Sequence, residues 1–193
     1  MSGFFRTTSK VSPQERVRDF ARVQVRAGLL DADALLREVA AAVEVELPGE
    51  SPAAKARELV ADARTALLEE QDDWEAPTDH DRLQAAFAAL AHRDVVVLQA
   101  VEDHWVADAA LRRLDAEGRS PRGAVWFTPP DVWHAVDHGM LELNVWHPDT
   151  ANVAPGESLL DVVVDTLAAH GLVGHFDEGR VEVAAHWRKP LPA

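Results

Sequence analysis

The apolar period of this chain changes at residue 94. Before it, apolar residues recur three and four positions apart, the spacing that lines one face of a helix. After it they come in short β-branched runs or alternate singly, the spacing of strands. This shift predicts helices over 13–93 and a sheet with interleaved helices over 94–193. Residues 1–12 carry no such pattern and are expected to be disordered. Residues 13–193 are read as a single domain.

Local signals place the helices. Ser12-Pro13 is a cap followed by a first-turn proline, and Phe20, Val23 and Ala27 form a stripe that ends at Gly28. Asp31 or Asp33 caps the next helix, whose stripe is Leu35, Leu36, Val39, Ala42 and Val43, stopped by Pro48-Gly49. Ser51-Pro52 opens a third, with Ala56, Leu59, Val60, Ala63 and Leu67 on one face. Thr78 and Asp81 have the spacing of a capping box before Leu83, Ala86, Phe87 and Leu90.

Beyond residue 94, VVVLQAV (95–101) is apolar throughout, as in a central strand covered on both faces. A helix is expected over 103–117, a strand over 123–128, and a helix from Thr128-Pro129-Pro130-Asp131 to Gly139. In MLELNVWH (140–147), Leu141, Leu143 and Val145 alternate with Glu142, Asn144 and Trp146. Ser158 and Asp161 are read as capping a last helix, and two strands flank the hairpin signal Glu178-Gly179. The expected fold is α+β: N-terminal helices packed on a mixed, roughly five-stranded sheet in β-α-β-α-β-α-β-β order.

Composition narrows the chemistry. The net charge is −14, which disfavours nucleic acid and anionic membrane surfaces as partners. There is no cysteine, hence no disulfide, thiolate nucleophile or Cys-type metal site, and there is no tyrosine. No apolar run approaches a membrane span, and the N-terminus lacks the apolar core of a signal peptide. A soluble cytoplasmic protein is expected, and the Ala/Arg/Asp/Val-rich usage suggests a bacterial source. No G-x-G-x-x-G, G-x-x-x-x-G-K-[ST] or G-x-S-x-G motif occurs.

DRLQAAFAALAHRDVVV (81–97), LAAHGL (167–172) and HWRKPLP (186–192) resemble an uncharacterised bacterial domain-of-unknown-function family, over Val25 to Pro192. Members of that family show a D-x-L-x-x-A-F-x-x-L helix, a strand, a C-C-x-x-C-G stretch, an F-x-H-x-Q-D segment, an AHGL helix end and a final W-R-x-x-L. This chain has AVEDHWVAD (100–108) in place of the cysteines, and FTPPD (127–131), which keeps only Phe127 and Asp131. The resemblance implies a shared fold. It carries no activity, and any metal or redox role of the family's cysteines is closed to this chain.

Three constellations bear chemistry. Each helical residue advances about 100°, so Val132, Trp133 and Val136 share one arc, and Asp131, His134, Asp137 and His138 the opposite one. His134 and His138, four apart, have the spacing of a metal-ligand pair, and His147 at a strand end is a third candidate ligand. The same pattern fits a helix with a solvated His/Asp face. Asp103 and His104 form a carboxylate–histidine pair suited to general-base work, with Asp137 a further catalytic candidate. Asp103 equally reads as an N-cap. Trp146, with Glu142 and Asn144 on its side of the strand, marks a candidate ligand or partner surface, unless the N-terminal helices cover that face of the sheet.

Two function classes follow. The first is a non-enzymatic binding or adaptor module for a protein partner, needing no cofactor, whose acidity favours a basic partner. The alternative is a metal-dependent, hydrolase-like enzyme holding zinc, iron or manganese in its His/Asp cluster.

Overall fold

A computed structural model describes residues 11–191; the first ten of the N-terminal dozen lie outside them. The described residues form helices α1 (Pro13–Ala27), α2 (Ala32–Glu46), α3 (Pro52–Gln71), α4 (Asp79–Ala91), α5 (His104–Ala116), α6 (Pro129–His138) and α7 (Ser158–Ala169). The strands are β1 (Val95–Leu98), β2 (Gly123–Trp126), β3 (Met140–Trp146), β4 (Val173–Asp177) and β5 (Arg180–Ala184). The fold is α+β with a mixed five-stranded sheet.

At α1, α2 and α4 side chains close the helix starts where the sequence places them, whereas Ser51 at α3 makes no side-chain cap bond. Ser12 and Glu15 bond reciprocally at α1, and Thr78 and Asp81 do so at α4. Asp31 rather than Asp33 caps α2, accepting from the Ala34 amide at 2.7 Å. At α7 the expectation fails. Ser158 is already the first helical residue, and the preceding Glu157 turns its carboxylate back to the Ala154 amide at 2.7 Å. The β4–β5 hairpin turns through Glu178 (φ 42°) and Gly179 (φ 90°), the left-handed pair that matches strand twist.

The strand order is β1-β2-β3-β5-β4, with β1 and β2 parallel and every other pair antiparallel. The expectation of a central β1 is therefore overturned: β3 is central and β1 is an edge. α5 crosses over to set β2 beside β1, and β3 then folds back along β2's other side. Both faces of β1 are partly covered, which explains its unbroken apolar run, but among the described residues no strand takes its outer edge.

One face of the sheet, with Val125, Leu141, Leu143, Val145, Val181 and Val183, packs beneath α4, α6 and α7 in the largest core. On the other face, Ala107 and Leu111 of α5 cover Ala124, Trp126 and Trp146. The N-terminal helices do not cover that face. α1, α2 and α3 bury Val17, Val25, Val39, Val43 and Leu67 in a core of their own, and α1 lies beside α6.

Candidate functional site

The His/Asp helix is built as its sequence implies. Pro129 and Pro130 open α6, and Asp131 Oδ2 accepts from the Thr128 amide and hydroxyl, both at 2.7 Å. Val132 and Ala135 are buried, whereas His134, Asp137 and His138 are exposed. Gly139 ends the helix at φ 68°, and a Cβ there would lie 2.5 Å from Cε1 of His186. The His134 and His138 rings tilt against each other with centroids 4.6 Å apart.

What packs beside this face is α1, and it brings a cation. Arg22 Nη2 donates to Asp137 Oδ1 at 2.7 Å. Burial alone would lower the Arg22 pKa, but hydrogen bonds and charge from Asp137 and Asp19 outweigh it and hold the guanidinium above its ordinary value. A fixed positive charge on the neighbour of His138 opposes a metal ion there. Asp131 is committed to the helix cap and Asp137 to Arg22.

His147 is held elsewhere. It follows the seven residues of β3, a rise of about 3.4 Å each, while His138 precedes that strand's other end. Its Nε2 lies 2.8 Å from Glu157 Oε2. The Ala154 amide, then His147, hold the Glu157 carboxyl below its usual range against a weaker opposing effect of burial. His147 thus fastens the 148–157 loop to the end of β3. Among the described residues, no group of three or more His, Asp or Glu side chains is placed to hold a metal ion.

Asp103 and His104 also separate. Asp103 Oδ1 accepts from the Trp105 and Val106 amides at 2.8 and 3.0 Å, closing the start of α5. The His104 ring faces Trp105 at 4.4 Å instead of the carboxylate. Trp105 itself is 66% exposed.

Trp146 is not the exposed aromatic that a partner surface would need. It is 9% exposed, its ring 4.7 Å from that of Trp126 at 68°, under α5. The cover that sequence alternation suggested comes from the β1–β2 crossover helix rather than from the N-terminal helices. Glu142 pairs with Arg180, and Asn144 Nδ2 lies 3.5 Å from the Trp126 carbonyl oxygen. Both lie on a polar part of the sheet face, where the β3–β5–β4 register also brings Glu182 and His175 into line with Glu142.

The feature that sequence reading missed lies along β1. A groove of about 380 Å³ follows all four residues of the strand, walled by Ala110 and Leu114 of α5 and by the Ser120-Pro121 segment. Arg113 and Arg119 stand at this groove, and Arg93 and Arg122 line the adjoining recess with Asp94 and Ser120. All four arginines are exposed, and none forms an ion pair among the described residues. Three of the four lie within ten residues of one another, but nothing local marks them as the rim of a strand edge.

These elements define an α+β chain whose mixed sheet, among the described residues, ends in an unpaired parallel edge with a basic rim. No helix among the described residues is long and apolar enough to cross a membrane. The family model described as Domain of unknown function (DUF6891) matches residues 10–191, and the chain belongs to that family. No curated protein and no solved structure matches it.

Proposed function

We propose that this chain is a non-enzymatic binding module that takes a partner segment along the open edge of β1. The observation that carries this reading is the groove on that edge, lined by half-buried Val96, Val97 and Leu98 and by an apolar wall. Natural sheets usually cover or charge such an edge, because it templates pairing with another chain. Here arginines charge one end of the edge, and the groove between it and α5 remains open. The side chains suited to catalysis support the same reading through their other duties. Asp103 caps α5, Asp137 holds Arg22 and His147 ties a loop.

The test is photo-crosslinking in cells from a reactive residue at Ser120, beside the groove, against the same residue at exposed Ala61 on α3. Discrete adducts from position 120 that are absent from position 61 are expected. Equal adducts from both positions, or none from 120, refute the reading.

A further inference from the structure

Resting on that reading, we infer that the segment bound at β1 is an extended acidic peptide. It adds a strand to the sheet and sets its carboxylates against Arg93, Arg113, Arg119 and Arg122.

The backbone of β1 is polarised for this. Asp94 O accepts from the Arg122 amide at 2.7 Å, and Leu98 O from the Phe127 amide at 3.3 Å. In a parallel ladder the residues bonded to a neighbour alternate, so Asp94, Val96 and Leu98 face β2. Val97 then turns its N–H and C=O groups to the open edge, whereas Val95 is buried beneath it. The half-buried Val96, Val97 and Leu98 at about 3.3 Å each give a docking edge of about 10 Å, enough for a segment of about three residues. Ala110, Leu114 and Leu98 offer apolar contact to alternate side chains of that segment.

Charge selects the occupant. The arginines cluster where β1 and β2 begin, and Asp94 is the acid that lines the groove and recess with them. The rim is therefore positive in a chain whose net charge is −14. At physiological salt, charges beyond about 8 Å are screened, so an approaching segment meets the local arginines more than the distant acids. Arginine also bonds carboxylates in a two-pronged fashion. A second copy of the chain fits poorly, because its own β1 is uncharged and is preceded by Arg93 and Asp94, which offer no cluster of carboxylates to the arginines. A single-stranded nucleic acid also fits poorly, since among the described residues no aromatic side chain lines the groove for a base to stack on.

The experiment is fluorescence anisotropy of the full chain with a labelled peptide carrying an acidic cluster followed by alternating Val and Thr. Controls are the same peptide with Lys for its acids and a labelled single-stranded oligonucleotide. Saturable binding of the acidic peptide is expected, with amide shifts and slowed exchange at Val97. Arg119→Glu/Arg122→Glu should weaken it by about tenfold or more, as should added salt. Val97→Pro removes an outward N–H while leaving the β2 ladder, and should weaken binding by a similar factor. Ala110→Trp, which fills the groove from α5, does the same and serves if Val97→Pro does not fold.

Equal binding of the lysine peptide, tighter binding of the oligonucleotide, or indifference to both Val97→Pro and Ala110→Trp overturns the inference. Absence of peptide binding overturns it too. If crosslinks from Ser120 persist in that case, the binding-module reading stands and only the acidic peptide falls. If those crosslinks are also absent, both fall.

Discussion

The indole Nε1 of Trp187 donates to the Ala27 carbonyl oxygen at 3.0 Å, joining the end of α1 to the segment that follows β5. The same ring meets Phe127 at 6.0 Å and the edge of His80 at 4.9 Å. It therefore touches the sheet core and α4 at once while holding the last turn of the N-terminal helix. Trp187→Phe keeps most of the apolar contact and removes the donor. A loss of about 1–3 kcal/mol is expected. Urea unfolding should show a lower midpoint at unchanged slope, and an unchanged midpoint would show that this bond contributes nothing.

His80 makes stability depend on pH. Burial, and then the charge of Lys189, push its pKa below the ordinary value, against an opposing pull from Asp81. The unfolded chain thus binds a proton at higher pH than the folded one. The stabilising contribution is complete above the unfolded value of 6.5 and is lost as pH falls through the lower folded value. Melting temperature should fall between neutral pH and the carboxylate range, and His80→Gln should flatten that slope. Glu70 and Glu157, whose pKa values are lowered from 4.5, act in a separate window below it. An equally steep slope in His80→Gln would remove this assignment.

Asp103 separates the structural role from a catalytic one. As an N-cap bonded to two amides, Asp103→Ala should lower stability by about 0.5–2 kcal/mol. Asp103→Asn should restore most of that, since asparagine caps as well as aspartate. Denaturation of the three proteins side by side is the measurement, and asparagine behaving like alanine would contradict the capping account.

Gly139 combines two demands. At φ 68° an L side chain costs about 1–2 kcal/mol, and its Cβ would also press on the His186 ring. Gly139→Ala should therefore destabilise by more than the backbone cost alone. In the Gly139→Ala/His186→Ala double variant, the crowding is relieved and the backbone part remains. A double-mutant cycle with no coupling would place the whole effect in the backbone.

The exposed His134–His138 pair lies beside the Arg22–Asp137 ion pair. His134→Ala/His138→Ala should change stability by no more than about 0.5 kcal/mol, as for exposed side chains without partners. Protein purified without a histidine tag should hold less than one equivalent of zinc, iron or manganese, and chelator should leave its melting unchanged. Stoichiometric metal that disappears in the double variant would restore the metal-enzyme alternative.

Much of the architecture is local and was legible. Ser12, Asp31, Thr78 and Asp103 mark helix starts because a short oxygen-bearing side chain must meet a free amide within three residues. Glu178-Gly179 marks a hairpin because both positions need positive φ. The change of apolar period at residue 94 separates helices from strands because each periodicity belongs to one backbone geometry. By these means the sequence determined the element order and the α+β class.

Tertiary structure decided the neighbours. An apolar run such as 95–98 is compatible with the centre or the edge of a sheet, and only the return of β3 along β2 makes β1 an edge. Trp146 alternates with polar residues and is buried all the same, because α5 lies over it. Arg22 meets Asp137 across 115 positions of chain, and that contact changed a histidine pair into one flanked by a cation. Arg93 joins the arginines of the 113–122 stretch only once β2 lies beside β1. Pairing and covering are long-range choices, settled by which surfaces the whole chain buries together, and a local residue pattern does not carry them.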